Sequence, residues 1–403
     1  MKTLCTMLVF LFAAWSAAIA QVGAPGDLVL VGAKVYPSPT AAPMGNATVV
    51  IHDGKIASVG VGKVRLEKGT EAIDCSGKVI VAGFWNSHVH FETGWQGAAS
   101  APAAKLESLM QEMLTRWGFT TVWDLGSDPQ NTLALRKRVE AGEVPGPKIL
   151  MAGDIFPKGG HPVYLPPEMQ LPEAATPFDV LRMVRGYMYL GLDGTKLFTG
   201  SYMGNKPVVN MDTDIVKAAV EITHELGKPV FTHPQNHVGV DNALEGGVDI
   251  LAHTIPTEGS FTTEELARMK RQHTALIPTL TLWTTVTQNP DAQKQLVQAG
   301  VDELKSFASQ GGTILFGTDV GFTGKYDTGE EFEYMGRAMT WSEILASLTT
   351  APAAQFKFPT KGRLEKNMDG DLVVLEGDPA ADVRNFAKVE MTVRAGKVVF
   401  RAK

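Results

Sequence analysis

Over most of its length the chain alternates between short apolar runs and longer segments with helical periodicity. Eight runs have the character of buried strands, and in chain order they cover residues 79–85, 120–124, 148–152, 195–198, 229–232, 250–252, 275–278 and 313–316. Helix-length segments such as 106–118 and 213–227 lie between most of them. Strands that alternate with helices predict a parallel sheet. Eight such units predict a (β/α)8 TIM barrel, although periodicity alone also permits a doubly wound open sheet.

The two ends of the chain have a different pattern. Residues 27–80 contain short Val- and Ile-rich pieces with hairpin signals at Asp53-Gly54 and Ser76-Gly77, and the same pattern returns only from Gly370 onward. We therefore expect both ends to pair in one small β-sandwich. The predicted domains are a first sandwich part at 21–80, the TIM-barrel catalytic domain at 81–362 and a second sandwich part at 363–403.

Residues 1–20 have the layout of a cleaved secretory signal peptide. Lys2 precedes an apolar core at 8–14, and the small residues Ala18 and Ala20 follow. The apolar part is shorter than the roughly 20 residues that span a bilayer, so an uncleaved anchor is the weaker alternative. We expect a periplasmic or secreted protein with no stable membrane insertion after cleavage.

Composition and charge narrow the class of partner. With 403 residues, 44% of them hydrophobic and 20% charged, the chain can bury a large core. The net charge of −6 comes without a basic stripe, which argues against a nucleic-acid partner. Removal of residues 1–20 leaves Cys75 as the only cysteine, so no internal disulfide is expected, and we interpret Cys75 as structural. No phosphate-binding or dinucleotide-binding motif occurs, so a small-molecule substrate is expected without a nucleotide cofactor.

Ionisable residues recur where predicted strands end. His88 and His90 follow the first strand and share one face because strand side chains alternate. By itself, such a pair of histidines is more typical of an ordinary protein surface than of a metal site. The other strand ends carry Lys196, His233, His253 and Asp319. Each has a structural explanation by itself, as a surface lysine, a hydrogen-bonded histidine or a helix N-cap. Together, at the ends of strands 1, 4, 5, 6 and 8 of one barrel, they predict a metal site.

These residues resemble the amidohydrolase superfamily, of the binuclear-metal type with a carboxylated lysine. The resemblance rests on "FWNSHVHF", "GTKLF", "THPQN", "AHTIP" and "FGTDVG", and it is strongest to the imidazolonepropionase-like and Xaa-Pro dipeptidase-like branch. It covers nearly the whole chain after residue 20.

The resemblance implies a set of ligands for two divalent metal ions. One ion would be held by His88, His90 and Asp319, and the other by His233 and His253, while a carbon dioxide-derived carbamate on Lys196 bridges both. An ammonium cannot ligate a cation, which is why the lysine must carry the added carboxyl group. The donor set suits Zn²⁺, and manganese, iron or cobalt would also be accepted. A metal-bridging hydroxide would attack the substrate, with Asp319 as general acid/base.

Substrate contacts are less visible in the sequence. His161 lies in a segment that resembles the Gly-Gly-His segment after strand 3 of this branch. It is a candidate for contact with the substrate or the oxyanion, and the alternative is an exposed loop histidine without such a role. Tyr164 and Tyr202 are candidate hydrogen-bond donors, with packing as the alternative. The run "THPQNHVGV" keeps His233 but departs from the "HAHG" of dipeptidase-like relatives, so substrate contacts there do not carry over. We interpret the remaining candidates at the mouth as solvated loop residues, namely Lys206, Lys325 and Tyr326, and the histidines away from strand ends as structural or exposed, namely His52, His224 and His273.

The predicted function is metal-dependent hydrolysis of an amide bond, in a dipeptide, an N-acyl amino acid or a cyclic amide. Cleavage of a lactone or another ester by the same site is an alternative. Deamination is disfavoured, since deaminases of this superfamily commonly use one metal and lack the bridging lysine. A catalytically retired binding protein is the alternative from another class, although all six expected ligands are present. Nothing in the sequence indicates how subunits assemble.

Overall fold

A computed structural model describes residues 21–62 and 64–403. The signal peptide predicted over residues 1–20 therefore lies outside the described residues. The strands are β1 Gln21–Gly23, β2 Leu28–Val35, β3 Met44–His52, β4 Lys55–Val61, β5 Val64–Leu66, β6 Ala72–Asp74, β7 Val79–Ala82, β8 Phe84–Val89, β9 Phe119–Asp124, β10 Lys148–Pro157, β11 Glu173–Ala174, β12 Gly194–Phe198, β13 Gly200–Ser201, β14 Val209–Asn210, β15 Val230–His233, β16 Ile250–Ala252, β17 Ala275–Ile277, β18 Leu372–Leu375, β19 Val389–Arg394 and β20 Lys397–Arg401. The α-helices are α1 Ala103–Met113, α2 Pro129–Glu140, α3 Pro177–Leu190, α4 Thr213–Glu225, α5 His237–Gly246, α6 Thr263–Gln272, α7 Pro290–Ser309, α8 Gly329–Gly336, α9 Trp341–Leu348 and α10 Thr350–Gln355.

Seven parallel strands form most of a barrel, in the order β8-β9-β10-β12-β15-β16-β17. An extended segment, residues 313–320, occupies the eighth position and closes the barrel. It makes one parallel bridge from Ile314 to Leu276 on β17 and another from Val320 to Val89 on β8. The predicted (β/α)8 barrel is therefore confirmed.

The eighth strand, expected over residues 313–316, is not a regular strand. Its hydrogen bonds go to different partners: the Phe316 N–H donates to Ser347 O on α9, whereas Phe316 O accepts from Ser87 N on β8. The split pairing prevents a continuous ladder. The barrel thus has one irregular member, and this segment leads directly to Asp319.

The prediction of a single strand over residues 79–85 is wrong. The structure has two strands there, β7 in the sheet formed by the chain ends and β8 in the barrel, with Gly83 between them. A Cβ atom at Gly83 would lie 2.3 Å from the Thr120 Oγ1 atom, so only glycine fits this crossing. The chain passes from one sheet to the other at this point.

The second sheet joins both ends of the chain. Its order is β20-β19-β18-β7-β2-β3-β4, with β6 paired to β2. Strand β18 runs antiparallel to β7, which connects the C-terminal part to the N-terminal part. The predicted sandwich of both ends is confirmed. Cys75 is buried in this domain, and burial raises the pKa of its thiol to about 11. Within residues 21–62 and 64–403, no helix has the length and apolar character needed to cross a bilayer.

The interior of the barrel is filled by aromatic side chains. Phe356, which follows α10, packs against three inward-facing residues, with ring-centroid distances of 4.9 Å to Trp123, 5.7 Å to Trp85 and 5.8 Å to Phe231. All three partners are buried. This aromatic floor closes the lower part of the barrel to water and leaves only the carboxyl ends of the strands for chemistry.

Candidate metal centre

Above the aromatic floor, the inner face of the barrel becomes polar. Residues two apart on a strand share a face, so His233 follows Phe231 into the interior and Asp154 follows Ala152. Lys196 lies on β12, in register with Asp154 on the neighbouring β10. The carboxyl end of the barrel therefore places a layer of ionisable groups on an apolar core.

His88, His90 and Asp319 form a compact cluster at this level. The two Nε2 atoms of the histidines are 3.2 Å apart, and Asp319 Oδ1 lies 3.1 Å from His88 Nε2 and 2.9 Å from His90 Nε2. Ligand atoms around a tetrahedral zinc ion, with bonds of about 2.0 Å, are about 3.3 Å apart. The three side chains thus have the spacing of ligands that share one cation, and a divalent metal fits them.

Unusual backbone conformations position this cluster. Asp319 has a positive φ of 58°, and its N–H donates to His88 O at 2.9 Å. Gly321 follows with a φ of 101°, and a Cβ atom there would lie 1.9 Å from His90 O. Strained backbone persists only where the surrounding structure determines it. Here the strain brings the Asp319 carboxylate to the histidine pair.

His253 and His233 continue the cluster across the mouth. The centroid of the His253 ring is 4.7 Å from that of His88 and 4.8 Å from that of His233. Lys196, also buried, sends its Nζ atom to 5.6 Å from the centroid of the Phe198 ring, and that ring stacks on His233 at 5.2 Å. The structure therefore brings all six side chains that the sequence singled out to one end of the barrel.

Burial keeps three of the four histidines neutral. It lowers the pKa of His88 and His253 well below the usual value, and that of His233 to about 4, with a further lowering from the Lys196 ammonium. At His90, burial has the same effect, but the hydrogen bond and charge of Asp319 outweigh it and raise the pKa to about 9. Neutral imidazoles are the form that ligates a cation, and at His90 a cation would take the place of the proton.

Lys196 is held in a position that disfavours its charge. Burial lowers its pKa, and the nearby carboxylates of Asp154 and Asp319 only partly oppose that effect. Water solvates an ammonium far better than this interior does, so the neutral amine becomes accessible near physiological pH. A neutral amine is the form that reacts with carbon dioxide.

Polar residues outside the cluster fix the orientation of its ligands. His253 Nδ1 lies 2.7 Å from Thr279 Oγ1, and the next two residues, Leu280 and Thr281, donate their N–H groups to the buried Glu331 carboxylate on α8. On the other side, the side chain of Gln235 places Oε1 3.0 Å from His233 Nε2. Such outer contacts set ring orientation and tautomer in metal sites.

Asp154 was missed by the sequence reasoning. Its Oδ1 atom is buried and has no hydrogen-bond partner among the described residues, and its carboxylate packs on Gly126, where a Cβ atom would lie 2.1 Å from Oδ2. Burial raises the pKa of Asp154, and the charge of Lys196 opposes that shift. The signal was present, because Asp154 follows the apolar Ala152 by two residues on the third strand.

The three predicted substrate contacts occupy different surroundings. His161 is held in its loop, with Nδ1 3.2 Å from Pro162 O and Nε2 3.2 Å from Met169 O. Tyr164 lies at the mouth, with its ring 5.3 Å from that of Phe322. Tyr202 is exposed, and its carbonyl accepts from the N–H of the residue before Tyr164.

The other candidates have structural surroundings. His237 Nδ1 lies 2.8 Å from Glu265 Oε1 at the start of α5, and the Lys325 ammonium donates to Glu330 at 2.7 Å. The remaining members of this group are either exposed, partly buried against the core or paired with a surface carboxylate: Lys206, Tyr326, His52, His224 and His273.

Comparison with known proteins supports the same reading of the fold. The family model described as "Amidohydrolase family" matches residues 79–399. A solved Xaa-Pro dipeptidase with bound methionine superposes with a TM-score of 0.80 at 21% identity, covering 93% of this chain and 100% of that one. A prolidase complexed with N-methylphosphonate-L-proline gives a TM-score of 0.79 at 22% identity, with 93% and 100% coverage.

Among curated proteins, an adenine deaminase from Clostridium botulinum is 35% identical over 75 residues, or 19% of this chain. That match spans only 12% of the length of the deaminase, so it concerns a segment of the fold rather than the whole protein. The family model covers most of the chain, and its span includes every residue of the candidate metal centre. The chain belongs to the amidohydrolase family.

Proposed function

We propose that this protein is a metal-dependent hydrolase that cleaves an amide bond of a small-molecule substrate. The observation that carries the proposal is the meeting of four histidines, a buried lysine and an aspartate at the carboxyl end of one barrel. Membership of the amidohydrolase family and the likeness to a dipeptidase and a prolidase support it.

The proposed ligands divide into two groups. His88, His90 and Asp319 would hold one divalent cation, and their mutual distances of 2.9 to 3.2 Å suit that role. His233 and His253 would hold the second, and the neutral state of both rings suits it. We propose that the two are joined by Lys196 as its carbamate, with Zn²⁺ as the preferred ion.

Divalent cations in such a site, when bound, acidify a water molecule so that it becomes a nucleophile at neutral pH, and they polarise the scissile carbonyl. The protein itself must then move a proton from the attacking water to the leaving nitrogen. We propose Asp319 for this task, and two observations support it: its Oδ1 atom lies among the cluster, and its backbone N–H donates to His88 O. No serine or cysteine nucleophile is required. His161, Tyr164 and Tyr202 remain predicted substrate contacts.

The proposal is tested by a substrate screen with zinc-loaded protein. We expect hydrolysis of at least one dipeptide, N-acyl amino acid or cyclic amide, measured by release of the amine, and loss of the activity after dialysis against a chelator. Turnover of lactones with none of amides would favour the alternative ester-cleaving function. Bound metal without any hydrolysis would contradict the proposal.

Replacement of the lysine tests the bridge. We expect Lys196→Ala to lose bound metal and amide hydrolysis together, because the shared anionic ligand is gone, and short-chain carboxylic acids to restore part of both. Metal content is measured by elemental analysis beside the rate. Lys217→Ala, at an exposed lysine of α4 that pairs with Glu245, is the matched control and should change neither. An alanine variant at position 196 with normal metal and rate would exclude the bridging role.

Replacement of the aspartate tests proton transfer. Asparagine tolerates the positive φ of Asp319 as well as aspartate does, so Asp319→Asn should preserve the backbone. We expect turnover to fall by at least about 10²-fold with bound zinc retained, as for the loss of a positioned acid/base, and zinc content is measured beside the rate because Asp319 is also a proposed ligand. Asp53→Asn, at an exposed turn aspartate with a φ of 46°, is the control. Near-normal turnover in Asp319→Asn would remove this residue from the reaction.

A further inference from the structure

Two exposed aromatic side chains stand beside the candidate metal centre. Tyr164 comes from the loop after the third barrel strand and Phe322 from the loop after the eighth, and each is about 40% exposed. Their rings pack edge to face, with centroids 5.3 Å apart. The centroid of the Phe322 ring is 6.4 Å from that of His90. We call Tyr164 and Phe322 the aromatic wall.

The loop that carries Tyr164 exposes further apolar side chains. Val163 and Met169 from the same loop as Tyr164 are also exposed. The N–H of Val163 donates to Tyr202 O at 3.1 Å, which joins this loop to the one after the fourth strand. Contiguous exposed apolar surface is unfavourable in water, and on soluble proteins it commonly marks a binding site.

The wall faces the ionisable layer rather than the outer surface of the barrel. The Phe322 ring lies 6.4 Å from the ring of His90, a proposed metal ligand, and Tyr164 packs against Phe322 from the neighbouring loop. Below the cluster, the aromatic floor built around Phe356 fills the barrel. A substrate held at the cluster can therefore extend only toward the mouth, where the wall stands.

We propose that the aromatic wall binds an aromatic or bulky apolar group next to the scissile amide of the substrate. This inference rests on the proposed amide hydrolysis and narrows its substrate class. An apolar group that covers the two rings removes their exposed faces from water, and edge-to-face contact with a third ring adds to that gain. A substrate with only a methyl group at this position leaves the wall exposed.

A matched substrate set tests the inference with zinc-loaded protein. N-acetyl-alanine is compared with N-phenylacetyl-alanine, which enlarges the acyl side, and with N-acetyl-phenylalanine, which enlarges the amine side. We expect kcat/KM for one of the enlarged substrates to exceed that for N-acetyl-alanine by at least about tenfold. Equal values for all three would overturn the inference while leaving amide hydrolysis intact.

Variants connect that preference to the wall. Tyr164→Ala and Phe322→Leu should each reduce the ratio of kcat/KM values by at least about threefold, since part of the apolar contact is lost. Tyr189→Ala is the matched control, because this exposed tyrosine lies in the last turn of α3, at the opposite end of the barrel. Tyr164→Phe keeps the ring and should keep the ratio. If Tyr164→Phe lowers the ratio as much as Tyr164→Ala, the hydroxyl is responsible and the wall is not.

Measurement of ligand binding tests the aromatic wall independently of amide hydrolysis. Affinities of N-methylphenylacetamide and N-methylacetamide are compared by NMR titration on the zinc-loaded protein, with and without Tyr164→Ala, at a temperature low enough that hydrolysis during the titration is negligible. Tighter binding of the aromatic amide that depends on Tyr164 supports the wall even if no amide in the screen is hydrolysed. Equal binding of both amides would contradict it whatever the activity.

Discussion

The burial of Lys196 is the constraint on which the site depends. An ammonium in a protein interior carries a desolvation cost on the order of several kcal/mol, and a lysine is rarely kept there without a purpose. Around it lie His233 and His253, whose rings are uncharged, and the carboxylates of Asp154 and Asp319. In the proposed function, conversion of the amine to a carbamate would replace a poorly solvated cation with an anionic ligand, which two divalent cations would then neutralise.

The rest of the barrel makes that burial possible. Trp85, Trp123, Phe231 and Phe356 fill the space below the lysine and exclude water from beneath it. Above them, each strand contributes at most one or two ionisable residues, because side chains alternate between the interior and the helices. The site is therefore assembled from distant parts of the chain, and its geometry depends on the closure of the barrel by residues 313–320.

The sequence was sufficient for the regular parts of this arrangement. Lys196 lies within an apolar strand and His233 at the end of another, both at positions that alternation assigns to the interior. The Val- and Ile-rich pattern of the chain ends predicted their shared sheet. It was insufficient where local backbone departs from regular geometry. The crossing at Gly83 and the irregular segment that leads to Asp319 depend on contacts with distant residues, Thr120 and Ser347, that no local pattern reveals.

Two side chains near the site show the same limit in different ways. Asp154 follows the alternation of strand side chains, and the same alternation that found His233 could have found it. Phe322 was not, because its place beside His90 depends on the positive φ of Asp319 and on the tight contact of Gly321 with the His90 carbonyl. Loop conformation, rather than composition, determines which apolar residues reach the mouth.

We propose that six side chains hold two cations, with Lys196 as the shared anionic ligand. Anomalous diffraction from crystals of the zinc-loaded protein, recorded on both sides of the zinc absorption edge, tests it most directly. We expect two anomalous peaks at the mouth of the barrel, with density for a carboxyl group on Lys196 Nζ between them. A single peak at His88, His90 and Asp319 beside an unmodified lysine, or no peak at all, would contradict it.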